Sequence, residues 1–230
     1  RREHIRWRLD LRDNVQRSLY YTGHYEPTVQ ALLRRSLPPG GVLIDVGAHI
    51  GVHALPLARH LSRTGGRVFA FEPAPDNAEK LREAARRSQI TNIDILATAL
   101  GSRAGTTVLR ANSSYGLHDT GVRSEFGDGP PLYEVPVVVF DDWAKEHRLD
   151  RADAVKIDVE GAELAVLQGM TQTFRQLRPR VVVVELLEVN QLAAGARSSD
   201  VPVFFEEIGY VRLPGLVDKN AVFLPAEHVA

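Results

Sequence analysis

The sequence predicts a single doubly wound α/β domain built on a mostly parallel sheet. Three observations carry that reading. Short runs of β-branched and aromatic residues alternate with longer stretches of helical period, the pattern of right-handed βαβ units. A glycine-bearing turn joins the first core run to its helix. The length of 230 residues, 44% of them hydrophobic, suffices for one α/β core.

The elements follow in order. Residues 1–40 read as helical and form an N-terminal helical cap on the domain of residues 41–230. Val42–Val46 is a buried-strand run ending at Gly47, and Ala54–Leu61 is a helix that tolerates Pro56 in its first turn. Arg67–Phe71 is the second strand, Pro75–Asn77 a turn and helix start, Ala78–Ser88 the helix, and Ile93–Ala97 the third strand. Thr106–Arg110 and Tyr133–Val139 are strands flanking an aperiodic stretch, Ala111–Pro131, rich in Gly, Ser, Asp and Pro. A stretch of that length reads either as a mobile loop over the site or as a disordered insertion. Alternation then resumes with a strand at Ala154–Asp158, a helix at Ala162–Leu177, a strand at Arg180–Leu187 and a helix at Val203–Ile208. Tyr210–Leu213 and Ala221–Leu224 close the chain as an antiparallel hairpin at the sheet edge.

Composition bounds the function. With no cysteine, disulfides, zinc thiolate sites and cysteine nucleophiles are excluded. A formal net charge of −1 leaves no nucleic-acid footprint and no polybasic membrane anchor. The arginines at 1, 2, 6, 8, 12 and 17 read as a solvated helix face. Apolar runs such as Val181–Val184 are too short to span a bilayer, and no signal-peptide pattern occurs, so the expected location is cytoplasmic. The oligomeric state is left open.

The strongest local signal is Asp45-Val46-Gly47-Ala48-His49-Ile50-Gly51, directly after a strand and before a helix. Glycines there let the backbone turn sharply and approach a ligand at the carboxyl ends of the strands. The G-x-x-x-G spacing lacks the third glycine of a dinucleotide fingerprint, which disfavours a nicotinamide dehydrogenase. It suits an uncharged nucleoside with an amino-acid tail. Glu72, 27 positions beyond Asp45 at the end of the second strand, is placed to accept hydrogen bonds from both ribose hydroxyls.

This combination resembles the class I methyltransferases, and more specifically the FkbM family, mostly O-methyltransferases of secondary metabolites and sugars. The resemblance spans about Ser18 to Phe223. It is carried by Asp45–Gly51, Ala70-Phe71-Glu72-Pro73 with Asn77, Ala99-Leu100-Gly101 with Gly105, and Lys156–Glu163 with Leu167 and Gly169. Glu185 and the group Gly23, Tyr25, Glu26 and Pro27 also fit. The long motif from Lys156 is the specific one. The resemblance implies a seven-stranded sheet with its last strand antiparallel, and S-adenosylmethionine as cofactor. It places Asp45 and Gly47, with Ala48, His49 and Gly51 of the same loop, at the methionine tail. Glu72 and Pro73 then lie at the ribose, Ala99 and Leu100 at the adenine, and Asp158 also beside the cofactor. Where that family usually carries asparagine, this chain has His49.

Methyl transfer from a sulfonium is an in-line displacement in which positioning supplies much of the rate. A hydroxyl acceptor adds a proton that must leave, which calls for a general base or a metal ion. Asp158 ends a central strand, Glu160 follows two residues on, and Glu185 closes the neighbouring strand. Such carboxylates either share a proton or bind a hard divalent cation such as Mg2+, with Asp158 and Glu185 as its ligands. Asp158 is the expected base or ligand, with Glu160 and Glu185 in support, and Glu163 reads as a helix-capping acid. His24 is a second candidate base, and Tyr21, Tyr25 and His118 are candidate acceptor contacts. His53 faces cofactor or core, and Trp7 and Trp143 belong to the core.

The expected partner is a small hydroxylated molecule such as a sugar or polyketide. The competing readings are N-methylation of a small molecule and a non-catalytic nucleoside-binding partner subunit.

Overall fold

The computed structural model describes residues 4–111, 123–195, 197, 199–215, 217 and 219–229. The first ten described residues are irregular, not helical, and turn into α1 (Asn14–Thr22), which ends at Gly23 in the left-handed conformation, and α2 (Pro27–Ser36) follows. The expected helical stretch over residues 1–40 is thus two short helices and an irregular arm. Then come β1 (Val42–Val46), α3 (Ala54–Leu61), β2 (Arg67–Phe71), α4 (Pro75–Arg87) and β3 (Ile93–Leu96). Pro75 opens α4 at a position where its missing N–H costs nothing.

A departure from simple alternation follows. β4 (Ala99–Leu100), β5 (Gly105–Ala111), β6 (Arg123–Ser124) and β7 (Pro131–Val138) form a separate four-stranded sheet in the order β4-β7-β5-β6. The two runs that flank the aperiodic stretch pair antiparallel with each other, with a register shift between Leu109 and Arg110. Much of that stretch, including His118, lies outside the described residues. Its described end contributes β6 and the start of β7.

The rest of the chain runs α5 (Phe140–Glu146), β8 (Ala154–Ile157), α6 (Glu163–Gly169), α7 (Thr171–Gln176), β9 (Val181–Glu185), α8 (Glu188–Ala193), α9 (Asp200–Glu207), β10 (Tyr210–Arg212) and β11 (Asn220–Pro225). The helix expected over Ala162–Leu177 is broken at Met170. Two local causes fit the break. A Cβ on Gly169 would lie 2.2 Å from the Gly101 carbonyl oxygen, so the helix meets the β4 turn backbone to backbone. Asp141 then restarts the helix, accepting from the N–H groups of Gln172 at 2.8 Å and Thr173 at 2.9 Å. Helices α5 and α8 have no counterpart in the sequence expectation.

The main sheet has seven strands in the order β10-β11-β9-β8-β1-β2-β3. β11 is antiparallel to both its neighbours, and the pairs among β9, β8, β1, β2 and β3 are parallel. The closing hairpin does lie at the edge, with β10 outermost and the last strand inserted between it and β9. Because helices cover both faces, successive side chains of β1 enter different cores. Ile44 and Val46 join Phe69, Phe71, Val155, Ile157 and the aromatic side chains of α5 and α9 on one face. Leu43 joins Val68, Val181 and Val183 on the other, where Val29 and Leu33 of α2 and Ile5 of the arm also pack. Each such buried side chain stabilises the fold by about 1.5–3 kcal/mol. Trp143 of α5 sits edge-on to Phe69 and Phe71, each at 5.1 Å between ring centres. Among the described residues no helix is long and apolar enough to cross a membrane. The strand order reverses at β1, and the crevice beyond the carboxyl ends of β1 and β8 is where this architecture places its ligand.

Candidate active site

A cavity of about 420 Å3 opens at that crevice, within the range of small-molecule sites. Asp45, Gly47, Ala48, His49, Glu72, Pro73, Ala99, Leu100 and Asp158 all line it. Gly51 does not. It sits at φ +85°, where a Cβ would lie 2.3 Å from Leu81, and so it shapes the loop from behind.

The glycine loop is held by its own backbone and by the arm. The N–H groups of Gly47 and Ala48 both donate to the Phe71 carbonyl, at 2.9 and 3.0 Å. A Cβ on Gly47, at φ +80°, would come 1.7 Å from the Asp158 carbonyl oxygen, so only glycine fits between β1 and the turn after β8. Trp7 Nε1 donates to the Ile50 carbonyl at 3.2 Å. His49 occupies the left-handed region at φ +52°, with its Nε2 2.9 Å from Asp13 Oδ2. Burial would raise the Asp13 carboxyl, but the His49 ring and the Gln16 donors outweigh it and hold it low.

Two carboxylates face the cofactor end. Glu72 is buried, and its oxygens accept from the N–H groups of His49 at 2.7 Å and Ala74 at 2.9 Å. Each oxygen keeps a further lone pair for a ligand hydroxyl. Asp45 is 1% exposed, and among the described residues neither of its oxygens has a well-formed hydrogen-bond partner. Such an orphaned pair is costly. Burial raises the carboxyl against the pull of the Lys156 ammonium. A donor-bearing cation such as an amino-acid ammonium supplies what this site lacks.

Beyond them lies a denser charge cluster. Lys156 is buried in β8, and its Nζ lies 2.8 Å from Asp158 Oδ2. Burial would lower this lysine, but the carboxylates Asp158, Asp45 and Glu26 raise it. Burial would likewise raise Asp158, yet the Lys156 charge and hydrogen bond hold it below the ordinary range. Oxygens of Asp158, Glu160 and Glu185 lie within 4.8 Å of one another. Burial and then the Asp158 charge push Glu160 to about 7. Burial, followed by the charges of Asp158 and Glu160, pushes Glu185 up to about 9. The three groups thus favour a shared proton, with the Lys156 ammonium drawing the negative charge toward Asp158. Lys219 closes the group, with Nζ 3.1 Å from Glu185 Oε1. Asp158 and Glu185, the two expected metal ligands, each already have an ammonium partner that a divalent cation would have to displace, so the arrangement fits proton sharing better than a divalent cation.

Glu160 itself sits at φ +55°, with Asn190 Nδ2 donating to its Oε2 at 2.6 Å. Glu163 accepts from the Gly161 N–H at 3.0 Å and from Gln191 as it opens α6, the part of a capping acid. Tyr25 lines the cavity beside His53, and burial together with the Glu26 charge raises its hydroxyl.

Several expectations are corrected by position. His24, the second candidate base, is exposed just past α1 and is not among the residues that line the cavity. Tyr21 is 70% exposed on α1, packed edge-on against Tyr20, and also misses the cavity. Other residues enter without having been singled out for chemistry. Glu26 bridges His53 Nε2 at 3.2 Å and Asn220 Nδ2 at 3.2 Å. Arg123 of β6 forms a bidentate pair with Asp76 at the start of α4, at 2.9 and 2.7 Å, bringing the second sheet over the cofactor end. Glu26 stood in the group with Gly23, Tyr25 and Pro27 without a role, and Arg123 had only its type as a signal, since their partners lie 27 to 194 positions away.

The chain matches the Methyltransferase FkbM domain family over residues 45–212. It is 31% identical over 163 residues to the hexuronic acid methyltransferase AglP of Haloferax volcanii, covering 70% of this chain and 62% of that protein. It is 32% identical over 180 residues to the 31-O-demethyl-FK506 methyltransferase FkbM of Streptomyces tacrolimicus, covering 67% of this chain and 68% of that protein. Among solved structures it resembles methyltransferase FkbM from Methylobacillus flagellatus, with a TM-score of 0.52 and 17% identity over 85% of this chain and 50% of that one. It also resembles the O-methyltransferase from Bacillus cereus in complex with SAH, with a TM-score of 0.52 and 15% identity over 86% of this chain and 78% of that one. At these identities the structural likeness speaks for the fold, which is that of class I methyltransferases. The chain spans less than two thirds of the length of AglP and half of the Methylobacillus protein.

Proposed function

From the premise that this chain belongs to the FkbM methyltransferase family, we propose that it binds S-adenosylmethionine and transfers its methyl group to a hydroxyl of a small acceptor. The observation that carries the reading is the pair of carboxylates at the cofactor end. Asp45 presents two buried oxygens with no well-formed hydrogen bond among the described residues, suited to an ammonium, and Glu72 keeps acceptor capacity suited to paired ribose hydroxyls. Ala99 and Leu100 give the cavity lining apolar side chains against which an adenine would pack. When bound, the cofactor supplies an activated methyl group and a good leaving group. The chain's own residues do the rest.

Asp158, held charged by Lys156, accepts the acceptor's proton as its oxygen attacks. Glu160, beside Asp158 and raised to about 7, gives that proton somewhere to go near neutral pH. Tyr25 and the second sheet narrow the cavity around the acceptor and exclude water. The relatives named for hexuronic acid and for 31-O-demethyl-FK506 support a small oxygen-rich acceptor over a nucleic acid.

The test is calorimetric titration of the purified chain with SAH, with NAD as control. Saturable binding of SAH alone supports the reading, and it is then followed by an acceptor screen among sugars and hydroxylated polyketides with mass detection of the methylated product. No SAH binding by the folded chain overturns it.

A further inference from the structure

We propose that Asp13 is a positioning residue for the cofactor: through the His49 ring it fixes the glycine loop in the shape that presents Glu72. The proposal rests on the cofactor reading above and adds to it a residue from the arm, outside every motif of the loop itself.

The loop contains a conformational debt at one position. His49 has φ +52°, a region that a residue with a Cβ enters at a cost, least for asparagine and aspartate with their short polar side chains. Histidine needs support there, and two contacts provide it. The His49 N–H donates to Glu72 Oε2 at 2.7 Å, and the ring Nε2 lies 2.9 Å from Asp13 Oδ2. Among the described residues neither ring nitrogen has a well-aligned hydrogen-bond partner, so the close charge contact of Nε2 with Asp13 Oδ2 is the polar contact that sets the ring's direction.

Asp13 is itself rigidly held. It is 1% exposed, it caps α1 by accepting from the Gln16 N–H at 2.9 Å, and it accepts from Gln16 Nε2 at 2.7 Å. The same arm reaches the next loop residue, since Trp7 Nε1 donates to the Ile50 carbonyl. Asp13, His49 and Glu72 all line the cavity. A continuous path of contacts therefore runs from the start of α1 through Asp13 and His49 to the carboxylate that faces the ligand.

A double-mutant cycle read by SAH titration tests this, with the intact chain, Asp13→Asn, His49→Asn and the double variant. Asparagine keeps the cap on α1, and at position 49 it tolerates the left-handed backbone without the ring contact. Asp13→Asn in the His49 chain is expected to weaken SAH binding by about tenfold, a coupling of ordinary size for neighbours. In the His49→Asn background the same change is expected to weaken it less than about twofold. Equal losses in both backgrounds, or no loss in either, overturn the proposal, since Asp13 would then act through α1 alone or not at all. Thermal unfolding of each variant is recorded alongside, and Asp13→Ser, also a helix capper, repeats the cycle if Asp13→Asn loses its fold. Unfolding of both Asp13 variants overturns the proposal in favour of a purely structural role. An intact chain that takes up no SAH is a separate result, which removes the cofactor reading before any variant is compared.

Discussion

Lys156 and Asp158 stand two residues apart at the end of β8, on the same face of the strand, with Nζ 2.8 Å from Oδ2. The ammonium is buried, and it also answers the charges of Asp45 and Glu26. Removing one member of a buried pair leaves the other uncompensated, at a cost of about 3–5 kcal/mol. Lys156→Met is therefore expected to destabilise the chain by about that much in urea unfolding. Lys156→Met with Asp158→Asn should recover a large part of the loss. An undisturbed midpoint in the single variant would show that the carboxylates do not depend on this lysine.

Asp158→Asn alone separates chemistry from binding. It removes the proposed proton acceptor while keeping size and one hydrogen bond, so turnover should fall by about 10²–10⁴-fold. SAH affinity should stay within a few-fold of the starting value. Loss of SAH binding instead would place Asp158 with the cofactor and not with the acceptor.

Glu72→Ala should act the other way. It strips two backbone N–H groups, those of His49 and Ala74, of their acceptor, and leaving a buried donor unsatisfied costs about 1–3 kcal/mol. SAH binding should weaken by about 10–100-fold, while turnover at saturating cofactor changes far less. The check is a titration beside a full cofactor saturation curve.

The pH dependence of stability has a definite sign. Glu160 and Glu185 are raised to about 7 and about 9, mainly by burial, so the folded state holds protons that the unfolded state has released. Their contribution is fully present below about pH 4.5, the unfolded carboxyl range, and is lost as pH rises through about 7 and then about 9. Glu185→Gln, which cannot ionise, should flatten the decline between pH 7 and 9 in unfolding measurements. One pKa unit corresponds to about 1.4 kcal/mol, so the difference is measurable. A variant with the same slope as the parent would mean that Glu185 titrates normally.

Much of the architecture was legible because local pattern and tertiary structure agree. β1, β2, β8 and β9 are buried on both faces, so their apolar runs are nearly unbroken and need no partner to be recognised. The glycine loop was legible for a similar reason, since Gly47 answers a close approach that only glycine allows. The break at Met170 was not, because it depends on Gly101 and Asp141, which are distant in sequence. Two strands of the second sheet, β5 and β7, were legible as strands, but their assembly into a sheet of their own was not, because β4 and β6 are only two residues each and carry no pattern. At the site, Asp158, Glu160 and Glu185 were placed together by strand logic alone, whereas His24 was judged by residue type and lies on the surface. Glu26 shows the limit: its partner Asn220 is 194 positions away, and no local pattern announces such a bond.

That bond also bears on the order of assembly during synthesis. Chains emerge N-terminus first, so α1, α2 and the first strands exist well before β11 does. Until then Glu26 lacks Asn220, Glu185 lacks both Lys219 and the strand beside it, and β9 is an unprotected edge. A nascent chain can thus own the complete glycine loop and still lack one wall of the cavity. A ribosome-bound fragment ending before Lys219 would therefore hold the cofactor end of the cavity while still lacking the ammonium beside Glu185.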